Sequence, residues 1–135
     1  MTAGTIMALL NGGPRTKSFT LYSQAGRNTA LNNGFTAGAS GDLAICINMA
    51  LDATALPTAV TPSGFTNSIN ATGDDGLDYM RVMVSYRKLN GSLSSVTGMT
   101  VGSSHYQNLV LILRPNFNIA TTSVFTPVGS VTGGT

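Results

Sequence analysis

Tyr79-Met80-Arg81-Val82-Met83-Val84-Ser85-Tyr86-Arg87-Lys88-Leu89 alternates along its length. Read with period two, Met80, Val82, Val84 and Tyr86 share one side, and Arg81, Met83, Ser85 and Arg87 share the other. This pattern predicts a β-strand with its apolar side in a core and its arginine side wet or meeting a partner. No stretch of the chain has a comparable helical period. The chain therefore reads as all-β.

Upstream, Gly41-Asp42 launches the nearly continuous apolar run Leu43-Ala44-Ile45-Cys46-Ile47-Asn48-Met49-Ala50-Leu51. Its length and isoleucines fit a strand covered on both faces, and its start has no acidic or amide residue placed for a helix capping box. Pro57 and Pro62 make 52–63 an extended surface connection. Pro62-Ser63-Gly64-Phe65-Thr66 reads as a turn delivering an aromatic anchor into the core. Residues 67–78 are polar and read as a loop with its tip at 73–76. Nearer the start, Asn11-Gly12-Gly13-Pro14 is a turn signal, 18–22 a short strand and 28–40 a loop rich in Asn, Gly and Thr.

Downstream, Asn90-Gly91 is the strongest two-residue hairpin signal. Residues 95–101 read as a weaker strand, and Asn108-Leu109-Val110-Leu111-Ile112-Leu113 as a buried one closed by Arg114-Pro115-Asn116. Residues 117–131 alternate loosely, with Phe125, Val128 and Val131 as candidates for a last strand. About seven or eight short strands separated by Gly, Pro and Asn clusters predict a single-domain antiparallel β-sandwich over 1–135, jelly-roll-like.

Composition narrows the function classes. The 135 residues hold seven Lys and Arg, five acids that are all Asp, and one His. An excess of two positive charges, scattered along the chain, does not argue for nucleic acid. Polarity comes from Ser, Thr, Asn and Gly, whose surfaces cost little to desolvate against another protein or a sugar. The lone Cys46 lies in an apolar run and reads as a buried, inert thiol. With no secretory signal in view and no apolar run long enough to cross a bilayer, the expected product is made in a host cytoplasm and does not insert in membranes.

Candidate chemistry is sparse. His105 follows Ser103 and Ser104, but no Gly-x-Ser-x-Gly elbow occurs, so a histidine at a strand entry outweighs a catalytic one. Asp74, Asp75 and Asp78 cluster around Gly76 without the spacing or the bidentate Glu of an EF-hand, and read as solvated turn acids. Paired, opposed carboxylates for glycosidase work, phosphate-binding glycine loops and a Cys/His zinc set cannot be assembled. The chain reads as a non-enzyme with no cofactor. Arg81, Arg87, Lys88 and Arg114 would form a basic patch only if their strands paired. Otherwise they lie on a wet face or flank an intersubunit contact.

In order and spacing, GDLAICINMALD (41–52), PSGFT (62–66), YMRVMVSYRKL (79–89) and LVLILRP (109–115) resemble small β-sandwich domains in structural proteins of tailed bacteriophages. In that group a Gly-Asp-Leu start opens a buried strand and a Pro-x-Gly-aromatic turn follows. A Tyr-rich strand ending in a basic residue comes next, then an apolar strand closing in Leu-Arg. The group often carries Trp where this chain has Phe65. The resemblance covers residues 41–115. It implies a virion component: a head decoration or cement protein, or part of a neck, spike or tail fibre. The matched positions imply fold roles, with Gly41 and Gly64 permitting tight turns, Phe65 plugging the core, and Tyr79 and Tyr86 packing across strands.

The expected function is thus a structural virion protein that self-associates as a homotrimer and binds other virion proteins, its strength coming from many modest contacts. Residues 1–17 are the candidate docking arm, and Arg15, Lys17, Arg81 and Arg87 the candidate partner-binding residues. The rival reading is a carbohydrate-binding module for host glycans, with Tyr22, Tyr106, Asn108 and Asp75 as the available side chains. The absence of Trp weighs against it.

Overall fold

A computed structural model describes residues 16–97 and 105–119. Among these the chain forms β1 (Phe19–Arg27), β2 (Leu31–Asn32), β3 (Leu43–Asp52), β4 (Thr66–Asp74), β5 (Tyr79–Lys88), β6 (Val96–Thr97) and β7 (His105–Pro115). The fold is all-β: a five-stranded sheet in the order β1-β7-β3-β5-β4 faces a small β2-β6 ribbon in a sandwich-like arrangement. Every pairing is antiparallel.

The apolar run at 43–51 takes the centre of the large sheet, as its two-sided hydrophobicity requires, flanked by β5 and β7. A corner starts it. Gly41 adopts φ 93°, a left-handed value open to glycine, and its N–H donates to Leu89 O at 2.8 Å. The N–H of Leu89 returns a bond to Asp42 O at 2.8 Å. Pro62 to Phe65 forms the expected turn: Phe65 N–H donates to Pro62 O at 3.0 Å around Gly64 at φ 77°. Phe65 then packs, partly buried, against the core.

Three sequence expectations change. Residues 67–78 are not one loop, because 66–74 pair with β5 as β4, and only the tip that follows is a turn. This strand closes one side of the sheet, where half of its surroundings are water, so it needs no hydrophobic alternation. Asn90-Gly91 does not close a hairpin on β5. The hairpin partner of β5 is β4, and beyond Leu89 the chain leaves the sheet to pair Leu93 with Gly38. The stretch 95–101 contributes Val96 and Thr97 as β6, its remainder lying outside the described residues, as do Phe125, Val128 and Val131.

The third change concerns the faces of β5. Alternation holds, yet the buried side is the one bearing the arginines: Met83 and Ser85 are both fully buried. Register carries that side across the sheet, joining Ala44, Cys46, Asn48 and Ala50 of β3 to Asn108, Val110 and Ile112 of β7. We call this the inner face. Phe35, Leu89 and Val96 close over its centre, with Leu93 and Phe65 beside them, and Ala59 covers a second cluster at Ala50 and Met83. Both outermost strands slip register once: β1 between Leu21 and Ser23, and β4 between Asn67 and Ile69.

Candidate interaction surface

The inner face carries an unusual share of polar groups. Asn32, Asp42, Asn48, Ser85 and Asn108 are all buried. Hydrogen bonds make this tolerable for the asparagines and Asp42, whereas Ser85 Oγ is buried with no hydrogen-bond partner. Asn32 Nδ2 donates to Ala25 O at 2.7 Å and Asn108 O at 2.9 Å, while Asn108 Nδ2 donates to Ala30 O at 2.7 Å. The two amides thus tie the ribbon layer to β1 and β7. Beside them the Cys46 thiol lies 3.3 Å from Asn48 Oδ1 and 3.4 Å from Asn108 Oδ1. Burial pushes this thiol up to about 12, against the smaller pull of the Asn48 bond, so it is an inert neutral group.

At the other end of this face, Arg114 grips Asp42 with two bonds of 2.9 Å, from Nε to Oδ1 and from Nη2 to Oδ2. Oδ2 also accepts the Ala39 N–H at 3.0 Å. The Arg114 bond holds the Asp42 carboxyl below its ordinary value, outweighing the upward push of burial. The Arg114 guanidinium also stacks on Tyr22, 3.8 Å from the ring centroid. This corner is a fold determinant with its charges already spent on each other.

The opposite, outer face is built by the other parity: Ile45, Ile47, Met49 and Leu51 on β3, Met80, Val82, Val84 and Tyr86 on β5, and Leu109, Leu111 and Leu113 on β7. Leu21 extends it onto β1 and Ile69 onto β4. Its central positions are half-buried, with no layer over them among the described residues. Toward the margins Leu21 is 49% exposed, and Met49, Leu51 and Met80 are each 43% exposed. At one end Lys88 donates to Asn118 Oδ1 at 3.4 Å and to Ile119 O, so the segment after β7 caps that corner, where Leu43 is buried. Phe117 stands edge-on to Phe19 nearby, with centroids 5.2 Å apart.

The residues expected to bind partners do not converge. Arg15 lies outside the described residues. Lys17 is exposed, its Nζ 5.6 Å from the Phe117 ring centroid. Arg81 and Arg87 are half-buried on the inner side of β5, six positions apart, which is about 20 Å along a strand. Arg87 lies against Gly64, and its Nη2 reaches Asn90 Oδ1 at 3.5 Å. Lys88 points to the outer side, and β5 and β7 are separated by β3, so these cations and Arg114 form no patch. Tyr79 and Tyr86 likewise occupy opposite faces.

His105 begins β7 on the outer side, across from Leu51, and borders a recess of about 420 Å³ with Tyr106, Met49 and Met80. Ser103 and Ser104 lie outside the described residues. Asp42 sits at the far end of β3, paired with Arg114, and Asp52 Oδ1 accepts bonds from Thr54 and Ala55. The turn acids are engaged as well. Asp75 Oδ1 accepts the Leu77 and Asp78 N–H groups at 3.0 and 2.8 Å, and Asp74 Oδ1 that of Gly76 at 2.8 Å. Of the side chains considered for sugar, Asn108 is buried, and Tyr22 has one ring face under Arg114.

Among the described residues no group of three or more His, Cys, Asp or Glu is placed to hold a metal, and no helix is long and apolar enough to cross a membrane. Sequence reasoning missed the outer face because it assigned those side chains to the core. The available signal was the continuous hydrophobicity of 43–51, which demanded cover on both sides. No protein-family model, curated protein or solved structure matches the chain.

Proposed function

We propose that this protein is a structural component of a tailed-bacteriophage virion, working by adhesion: it associates with itself and binds other capsid or tail proteins. The supporting observation is the outer sheet face, where apolar side chains from all five strands lie side by side. Monomeric proteins rarely expose a contiguous apolar patch beyond about 300–600 Å², and larger ones mark surfaces meant to be covered by a partner. The virion assignment rests on the ordered residue series between 41 and 115. Residues 1–17, with Lys17 exposed at their end, are the proposed docking arm toward the particle.

Particles purified from the phage or induced prophage encoding the chain provide the test. Mass spectrometry should find its peptides at a stoichiometry comparable to other minor structural proteins. Their absence from intact particles removes the virion assignment. Removal of residues 1–17 should then abolish particle attachment while far-ultraviolet circular dichroism keeps its β signature. Unchanged attachment would remove the arm.

A further inference from the structure

We propose that the outer face of the five-stranded sheet is covered by the same face of a second copy of this chain, the two related by a two-fold axis. This rests on the self-associating reading above, puts a two-fold pair in place of the expected homotrimer, and names the surface and its partner.

Size comes first. Ten residues of β3 at about 3.3 Å each, and five strands spaced by about 4.8 Å, give a face of roughly 600–700 Å² in projection. Corrugation by side chains raises its accessible area toward the roughly 800 Å² that each partner contributes to a stable interface. One copy is therefore large enough to cover the part of the face that the segment after β7 leaves open, under a two-fold axis.

Chemistry selects the occupant. The outward positions of β3, β5 and β7 carry formal charge only at Lys88, with the titratable His105 at the far end. Lys88 is already turned toward Asn118 and Ile119. The centre, around Ile47, Val84 and Leu109, is a flat neutral surface. Placed against itself it neither opposes like charges nor strips water from an ion. Two such sheets pack face to face about 10 Å apart with their strands crossing near −30°, the ordinary geometry of a sandwich core.

The polarity of the two faces points the same way. Isolated domains put their most apolar face inward, whereas here the inward face holds the asparagines. A second copy restores the usual order, because its arrival turns the outer face into the larger core.

Sedimentation equilibrium of the full chain tests this. The expected result is a dimer, or an even multiple of it, with a melting temperature that rises with protein concentration. Val84→Lys should give a monomer with an unchanged β spectrum. Val84→Thr, nearly the same shape and far less able to disturb folding, should weaken association at least about tenfold. A wild-type monomer at about 100 μM overturns the inference, whether the face is then covered by the chain's own termini or by another protein. An odd-numbered oligomer, or an even one indifferent to Val84→Thr, overturns it as well. A monomer still found in particles leaves the adhesive reading standing with a different occupant.

Discussion

The inner face of the large sheet holds Asn48, Ser85 and Asn108 in the dry interior, beneath Asn32 of the ribbon, while the outer face holds Ile47, Val84 and Leu109 against no described layer. Hydropathy alone would have exchanged them. The difference teaches that a face is buried because something covers it, and that covering loops of Asn, Gly and Thr present carbonyls as well as methyl groups. Ala30 in the connection before the ribbon offers such a carbonyl, Ala25 and Asn108 offer others from the sheet's own strands, and buried amides answer them. An apolar inner face would have left them without partners, each at a cost of about 1–3 kcal/mol.

Matched truncations on the two faces break or sharpen this contrast most directly. Ile112→Ala empties a fully buried inner position and should cost about 3 kcal/mol of unfolding free energy. Ile45→Ala, read in the dissociated chain, should cost less than about 1 kcal/mol, because its outer site is only half enclosed. Urea denaturation of both variants at low concentration provides the comparison, and equal losses would mean that the outer face is already covered within one chain.

Next in size is Asn32→Ala. It strips the hydrogen bonds from two carbonyls and should lower stability by about 2–3 kcal/mol. A loss below about 0.5 kcal/mol would show that water reaches those carbonyls and that the inner face is wetter than its burial implies.

The titrating groups of the inner face give opposite pH limbs. Asp42 has a depressed folded value, so its contribution is present above the ordinary carboxylate range and is lost as acid protonates it. Cys46, raised to about 12, favours the fold as a neutral thiol, and that contribution is lost as pH climbs above the ordinary thiol value of about 8.5. Melting temperature against pH should fall on both sides. Cys46→Ala should flatten the alkaline limb and Asp42→Asn the acid one.

The smallest expected effect separates two turns of the inner layer. Gly64→Ala meets both a left-handed φ and Arg87 Nη1 at 2.9 Å, whereas Gly41→Ala meets only the φ. The first should cost about 1–2 kcal/mol and the second about 1 kcal/mol, with the order between them the informative readout.

Much of the sheet is legible in residues 41–115. The apolar runs at β3 and β7, the alternation of β5 and the glycine turns at 41 and 64 each have a local cause, and each lies where that cause puts it. What was not legible depends on partners distant in the chain. Asn108 answers Ala30 from 78 positions away, and no local pattern announces that. β2 and β6 are two residues each, held by their surroundings rather than by propensity. The site was legible only by type: an adhesive surface is consistent with the scarce charge, but Arg81 and Arg87, taken among its markers, lie on the inner side. Side chains assigned to the interior line the outer face instead.

The register slips in β1 and β4 govern how such a sticky molecule stays finite. Each inserts an extra residue, Tyr22 or Ser68, into a strand that would otherwise offer a straight ladder of free peptide groups to any passing chain. With both ladders kinked, strand-by-strand growth into ribbons is frustrated at either margin. Attachment is left to side chains, which saturate once matched, so under the proposed adhesive role the product would be a closed assembly instead of a fibre.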